Sequence, residues 1–166
     1  GGMGVVYRAR DRQLDEVVAL KLLRPEALAA DPTLLERFKQ ELKLARRITH
    51  RNVLRTHDFG ETGGVPYISM EYVDGVTLKE VVRSRGALPL GVGFSIAKQI
   101  CHGLGAAHAG GVVHRDIKPH NMLILPETAE LKIMDFGISR VSSVEPASSG
   151  LTTAGTVMGT PDYMPP

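Results

Sequence analysis

Two polar clusters whose aspartates, Asp116 and Asp135, lie nineteen residues apart constrain this chain more than any other feature. The first, His114-Arg115-Asp116-Ile117-Lys118-Pro119-His120-Asn121, puts a base-capable carboxylate, two cations and an amide into eight residues. Val112-Val113 precede it and Met122-Leu123-Ile124-Leu125 follow it. That order predicts strand, tight polar loop, strand, the arrangement by which a rigid scaffold presents chemistry. The second cluster, Asp135-Phe136-Gly137, closes the apolar run Leu131-Lys132-Ile133-Met134. Strands over 122–125 and 131–134, joined by Pro126-Glu127-Thr128-Ala129-Glu130, predict a hairpin that brings Asn121 and Asp135 together at one end. An Asn and an Asp converging there suit a hard cation such as Mg²⁺, which takes oxygen ligands and keeps substrate phosphates in its shell. The first cluster alone is as well explained by a satisfied polar turn; both clusters in order argue for chemistry.

HRDIKPHN followed by DFG resembles the catalytic loop and metal-binding motif of protein kinases. The resemblance implies that Asp116 orients the acceptor hydroxyl and takes its proton, that Lys118 neutralises charge on the γ-phosphoryl group, and that Asn121 and Asp135 hold Mg²⁺ or Mn²⁺.

The chain has 166 residues, enough for one domain with a real core. Its 43% hydrophobic and 23% charged residues are ordinary for a soluble globular protein. A net charge of +2 does not by itself point to nucleic acid. The one cysteine, Cys101, excludes an internal disulfide and, in an apolar helical stretch, is expected to be a buried structural thiol. No segment approaches the ~20 apolar residues of a membrane span, and no signal peptide is visible. His50, His57 and His102 share no ligand spacing.

Both ends read as cut. Gly1, Gly4 and Val6 match the later positions of a kinase glycine-rich loop, whose first glycine would precede residue 1. Taken alone this is an ordinary turn. The strand after it, Val17-Val18-Ala19-Leu20-Lys21, resembles the family's third-strand motif, with Lys21 as the lysine on the α- and β-phosphates. Asp31-Pro32 then predicts an N-cap and first helical position. Helical spacing puts Leu34, Phe38, Glu41, Ala45 and Ile48 on one stripe. Glu41 on that face either reaches solvent at the edge or needs a cation, since an unpaired buried carboxylate is costly. The resemblance implies a Glu41–Lys21 ion pair.

Val53–Phe59 and Val65–Met70 are predicted strands around the turn Glu61-Thr62-Gly63-Gly64. Met70-Glu71-Tyr72-Val73-Asp74-Gly75 resembles the hinge between kinase lobes, although a plain strand end fits equally well in isolation. As a hinge it implies Met70 as gatekeeper and backbone groups of Glu71 and Val73 on adenine, with Val6, Ala19 and Leu123 as apolar walls. Thr77-Leu78-Lys79-Glu80 is a capping-box pattern. A helix over about 90–109 follows, with Val92, Ile96, Ile100 and Ala107 on one face and His108 near a C-cap at Gly110-Gly111. Its four glycines cost roughly 1 kcal/mol each against Ala, so packing must hold it.

Residues 142–156 are rich in Ser, Thr, Gly and Ala and read as a mobile loop. Thr152, and next Thr153, stand where the resemblance places activation phosphorylation, with Arg115, Arg140 and Arg37 as the cations to receive a phosphate. A Ser/Thr-rich solvated loop with unrelated arginines is the plainer alternative. Gly159-Thr160-Pro161 and Tyr163-Met164 resemble the approach to the family's Ala-Pro-Glu motif, with Pro165 where Ala would stand.

The resemblance, strongest to bacterial Ser/Thr kinases, therefore implies an α+β, two-lobed protein-kinase-like fold, truncated. The sheet lobe would span about 1–70, the hinge 71–76, and a partial helical lobe 77–166, with the activation segment at 135–166. The implied activity is ATP-dependent phosphorylation of protein Ser or Thr hydroxyls, Lys118-Pro119 favouring Ser/Thr over Tyr. A cytoplasmic kinase domain of a parent that could be membrane-anchored is expected, without nucleic-acid partners and with a homodimer through the sheet lobe. A small-molecule phosphotransferase, a pseudokinase-like nucleotide-binding scaffold and a non-catalytic fragment remain as alternatives.

Overall fold

The computed structural model describes residues 4–31 and 33–136, with the side chains of Arg37 and Glu41 outside that description. The expectations for Gly1, Pro32, Arg140, Thr152, Thr153 and the loop 142–156 fall outside it as well.

Four antiparallel strands form the first sheet in the order β1-β2-β4-β3: β1 (Gly4–Asp11), β2 (Glu16–Leu23), β3 (Thr56–Thr62) and β4 (Val65–Glu71). Strand alternation turns Ala19, Lys21 and Leu23 of β2 to one face. On that face Ala19 and Leu23 join Ile68 and Met70 of β4 in an apolar core. Helix α2 (Leu34–Ala45) adds Phe38 and Leu42 to this core, and Phe38 meets Phe59 edge-on with centroids 6.3 Å apart.

Around a three-stranded sheet, β5 (Val76–Thr77), β6 (Met122–Ile124) and β7 (Leu131–Ile133), lies the second core. Helix α3 (Leu78–Arg85) starts on the predicted capping box: Thr77 Oγ1 accepts from Glu80 N, while Glu80 Oε2 accepts from Thr77 N. Helix α4 (Leu90–Ala109) packs Ile96, Ile100, Leu104 and Ala107 on this core. Gly103 permits that approach, since a Cβ there would lie 2.9 Å from both Asn52 O and Ile133 Cδ1.

Asn52 clasps the segment ahead of β3 to α4 and β7. It is buried; its side-chain Nδ2 donates to Gln99 Oε1 at 3.0 Å and Leu131 O at 2.8 Å, and its carbonyl accepts from Ile133 N at 2.9 Å. Nothing in the residue pattern singled it out. Asn52→Leu leaves the Leu131 carbonyl buried without that donor, so a loss of about 1–3 kcal/mol in urea unfolding is expected.

Several expectations are corrected. Val112-Val113 form no strand: Val112 N bonds back to Ala107 O and Val112 is buried, but Val113 is 55% exposed. β3 begins at Thr56, because Val53 makes only a single parallel bridge to Ile133. The N-cap of α2 is Thr33, not Asp31; Asp31 Oδ1 instead accepts from Thr33 N and Oγ1. A short helix α1 (Pro25–Ala30), unforeseen, precedes it. Leu42 completes the α2 stripe, while Ala45 is only half-buried. Cys101 is exposed, one position round α4 from the inward Ile100, and Val92 lies outside the packed stripe at 46% exposure.

Candidate active site

The β6–β7 hairpin fixes the centre. Its ladder pairs Met122 with Ile133, Leu123 with Lys132 and Ile124 with Leu131. One step beyond, Met134 N donates to Asn121 O at 2.9 Å, so the ends carrying Asn121 and Asp135 lie side by side, as the apolar runs predicted.

Before β6 the chain turns through a 3₁₀ helix, Pro119–Asn121, closed by Asn121 N to Lys118 O. This folds Asn121 back on Asp116: its Nδ2 donates to Asp116 O at 2.8 Å and to Asp116 Oδ2 at 3.1 Å. Lys118 Nζ reaches the same Oδ2 at 2.7 Å. The Asp116 side chain keeps 12% exposure, a held carboxylate with an opening to solvent.

Across the hairpin, Lys21 Nζ lies 2.6 Å from Asp135 Oδ1, with side-chain exposures of 14% and 33%. β2 parity aims Lys21 inward, and Asp135 reaches it from a left-handed backbone at φ 61°. Arg115, exposed beside Asp116, is also left-handed at φ 69°, which is unusual for a residue with a long side chain. Two such residues at one site mark backbone held by its surroundings.

His114 does the holding. Fully buried, it donates from Nε2 to Met134 O at 2.9 Å and accepts at Nδ1 from Asp116 N at 3.2 Å. Its ring meets Phe136 edge-on at 4.6 Å. One neutral imidazole thus ties the loop of Asp116 to the segment of Asp135, a role the sequence reading did not assign. Burial lowers its pKa, against the opposing pull of the Met134 carbonyl and of the Asp135 and Asp116 carboxylates. The stability His114 contributes is therefore complete above the ordinary imidazole value and lost as pH falls through the depressed folded value. Urea stability should decline, as pH falls below the ordinary imidazole value, more steeply in the wild type than in His114→Phe, which keeps a ring beside Phe136. Equal slopes would clear His114 of this effect.

The proposed nucleotide walls divide by strand register. Ala19 pairs with Met70 and both are buried, while Val6 pairs with Lys21 and is 58% exposed at the sheet's edge. Leu123, Glu71 and Val73 are half-buried. A small apolar cavity behind Met70 is lined by Leu54, Ile68, Asp135 and Phe136. The side chain of Glu71 also ties the crossing to the hairpin: Oε1 lies 2.9 Å from Lys132 Nζ, and Oε2 accepts from Arg55 N.

A hard cation fits the donor set. Asn121 uses its amide nitrogen on Asp116, leaving Oδ1 on the opposite side of the amide. Asp135 uses Oδ1 on Lys21, leaving Oδ2. These are oxygen donors of the kind Mg²⁺ takes from protein while substrate phosphates complete its shell. Among the described residues no cluster of three His, Cys, Asp or Glu forms a closed metal cage.

A family model for the protein kinase domain matches residues 1–166, the entire chain. The chain belongs to the protein kinase family. It is 41% identical over 170 residues to the serine/threonine-protein kinase pkn3 of Myxococcus xanthus, covering all of this chain and 31% of that protein. The kinase domain of Mycobacterium tuberculosis PknI superposes with a TM-score of 0.72 at 35% identity, over 83% of this chain and 56% of that one. Rad53 1-466, solved in complex with AMP-PNP, gives a TM-score of 0.71 at 28% identity, over 86% of this chain and 37% of that one. The kinase chain described here thus spans under a third of the length of pkn3. No described helix in it is long and apolar enough to cross a membrane.

Proposed function

We propose that the protein carrying this chain is a Ser/Thr protein kinase that transfers the ATP γ-phosphoryl group to protein hydroxyls. The observation that carries this is Asp116, a partly open carboxylate gripped by Lys118 and Asn121, next to the Asp135–Lys21 pair. Asp116 orients the substrate hydroxyl and accepts its proton; Lys118 then stands beside the transferring group. Lys21 steadies the α- and β-phosphates. Asn121 and Asp135 hold Mg²⁺, or Mn²⁺, which neutralises phosphate charge when bound. Catalysis of this kind is mostly positioning and electrostatic stabilisation, so geometry among fixed charges counts for more than any protein nucleophile. Residues 71–76, between the two apolar cores, serve as the hinge, where backbone groups of Glu71 and Val73 receive adenine and Met70 lies behind it. The AMP-PNP complex of Rad53 supports ATP as the donor, and Lys118-Pro119 supports Ser/Thr over Tyr as acceptor.

The direct test incubates the full-length protein with radiolabelled ATP, Mg²⁺ and a generic acceptor such as casein, followed by phosphoamino-acid analysis. Phosphoserine or phosphothreonine is the expected product. Nucleotide binding without any transfer, to itself or to the acceptor, would replace the enzyme with a nucleotide-binding scaffold.

Activity is further proposed to depend on phosphate at Thr152, and secondarily Thr153. Arg115, exposed beside Asp116, supports this as a cation available to a phosphate, and Arg140 and Arg37 are its candidate companions. A phosphothreonine brings about −1.5 to −2 charge and can gather arginines around it. The Thr152→Ala/Thr153→Ala double variant is expected to lose most activity, with phosphate mapped to 142–156 by mass spectrometry in the wild type. Full activity in the double variant would remove the switch and leave the kinase reading standing.

A further inference from the structure

Lys79 and His120 come from different elements and meet at the rim of the catalytic loop. Lys79 stands in the first turn of α3, and His120 between Pro119 and Asn121. Lys79 Nζ lies 2.6 Å from His120 Nε2, and both residues are exposed. An ammonium offers only donors, so at this distance His120 must present its Nε2 lone pair to Lys79. Neighbouring carboxylates are engaged elsewhere. Glu80 Oε2 holds the Thr77 hydroxyl at 2.7 Å and its backbone N–H at 2.9 Å, which keeps the Glu80 carboxyl below its ordinary pKa. Asp116 holds Lys118 and Asn121. The rim of the catalytic loop therefore presents two basic side chains brought together from α3 and the 3₁₀ turn.

We propose that Lys79 and His120 form a subsite for an anionic side chain of the protein substrate, a carboxylate or a phosphorylated residue near the acceptor Ser or Thr. This rests on the kinase reading above and names its substrate class. An incoming anion takes a hydrogen bond from Lys79 Nζ and a second from a His120 ring turned to present its N–H, replacing a contact between two basic groups with one between charge and countercharge. The preference falls on residues flanking the acceptor because His120 is bound in the same turn as Lys118 and Asn121, which contact Asp116.

The test uses the full-length protein and peptides with one acceptor Ser, scanning Asp, phosphoserine, Ala or Lys through the flanking positions. At one or two positions an anionic residue should raise kcat/KM about fivefold over Ala, chiefly through KM. Phosphoserine outperforming Asp there identifies a phosphorylated substrate; parity identifies an acidic one. Lys79→Met and His120→Gln should each flatten the profile, Lys79→Arg should retain it, and Lys79→Glu should turn the preference towards Lys. A flat profile in the active wild type, or a preference that survives in the Lys79→Met/His120→Gln double variant, overturns the subsite while leaving the kinase reading intact. Absence of any phosphoryl transfer, to peptides or to the protein itself, overturns the kinase reading and the subsite with it.

Discussion

Asp116→Asn in the full-length protein should lower turnover by about 10²–10⁴-fold, the usual contribution of a positioned general base, with ATP affinity nearly unchanged. The amide keeps the shape of the carboxylate and can still turn an oxygen towards Asn121 Nδ2 and Lys118 Nζ, which now sit at 3.1 and 2.7 Å from Asp116 Oδ2. What it loses is the capacity to accept the hydroxyl proton. Single-turnover kinetics beside nucleotide titration separates the two effects. Turnover within twofold of the wild type would remove Asp116 from the chemistry.

Lys21→Met is expected to cost about 10²–10³ in kcat, the scale of losing one preorganised charge at a developing anion. The same change strips Asp135 of its cation at 2.6 Å, so the carboxylate proposed to hold the metal is affected along with the proposed phosphate contact. Coupling should therefore appear in two cycles. Lys21→Met with Glu41→Gln tests the pair implied by the family resemblance, and Lys21→Met with Asp135→Asn tests the pair seen here. Residues that act together depart from additivity by about 0.5–3 kcal/mol. Additive losses in the first cycle would dismiss the Glu41 pair; additive losses in the second would make the Lys21–Asp135 contact incidental to catalysis.

Local signals were the ones legible in the sequence. The Thr77 capping box, the span of α4 and the β6–β7 hairpin follow from rules that act within a few residues. The hairpin then carried the adjacency of Asn121 and Asp135, because one ladder fixes both ends. Contacts between distant residues were not legible. Nothing in periodicity says that Asn52 will clasp β7, that His114 will bridge to Met134, or that Lys79 will meet His120 across 41 positions. Val112-Val113 show the opposite failure: two β-branched residues suit a strand, but this pair follows the Gly110-Gly111 turn and finds no partner ladder. Helix α1 carried a signal that went unread, Pro25 at its first position followed by Glu26 and alanines. It buries no side chain, so apolar periodicity could not reveal it.

The hairpin also separates what can vary from what cannot. Three ladder pairs and the Met134–Asn121 bond set the spacing of the Mg²⁺-type donors, whereas Pro126-Glu127-Thr128 bend at the opposite end, all exposed. Residues inserted among 126–128 lengthen a loop, and lengthening a loop costs only about 0.6 kcal/mol per doubling. One residue added within 122–124 or 131–133 instead reverses which side chains face the core and carries Asn121 or Asp135 to the wrong face. Length variation in such a chain should therefore gather at the bend, a silent position from which an affinity tag or a fluorophore could report on the site without entering it.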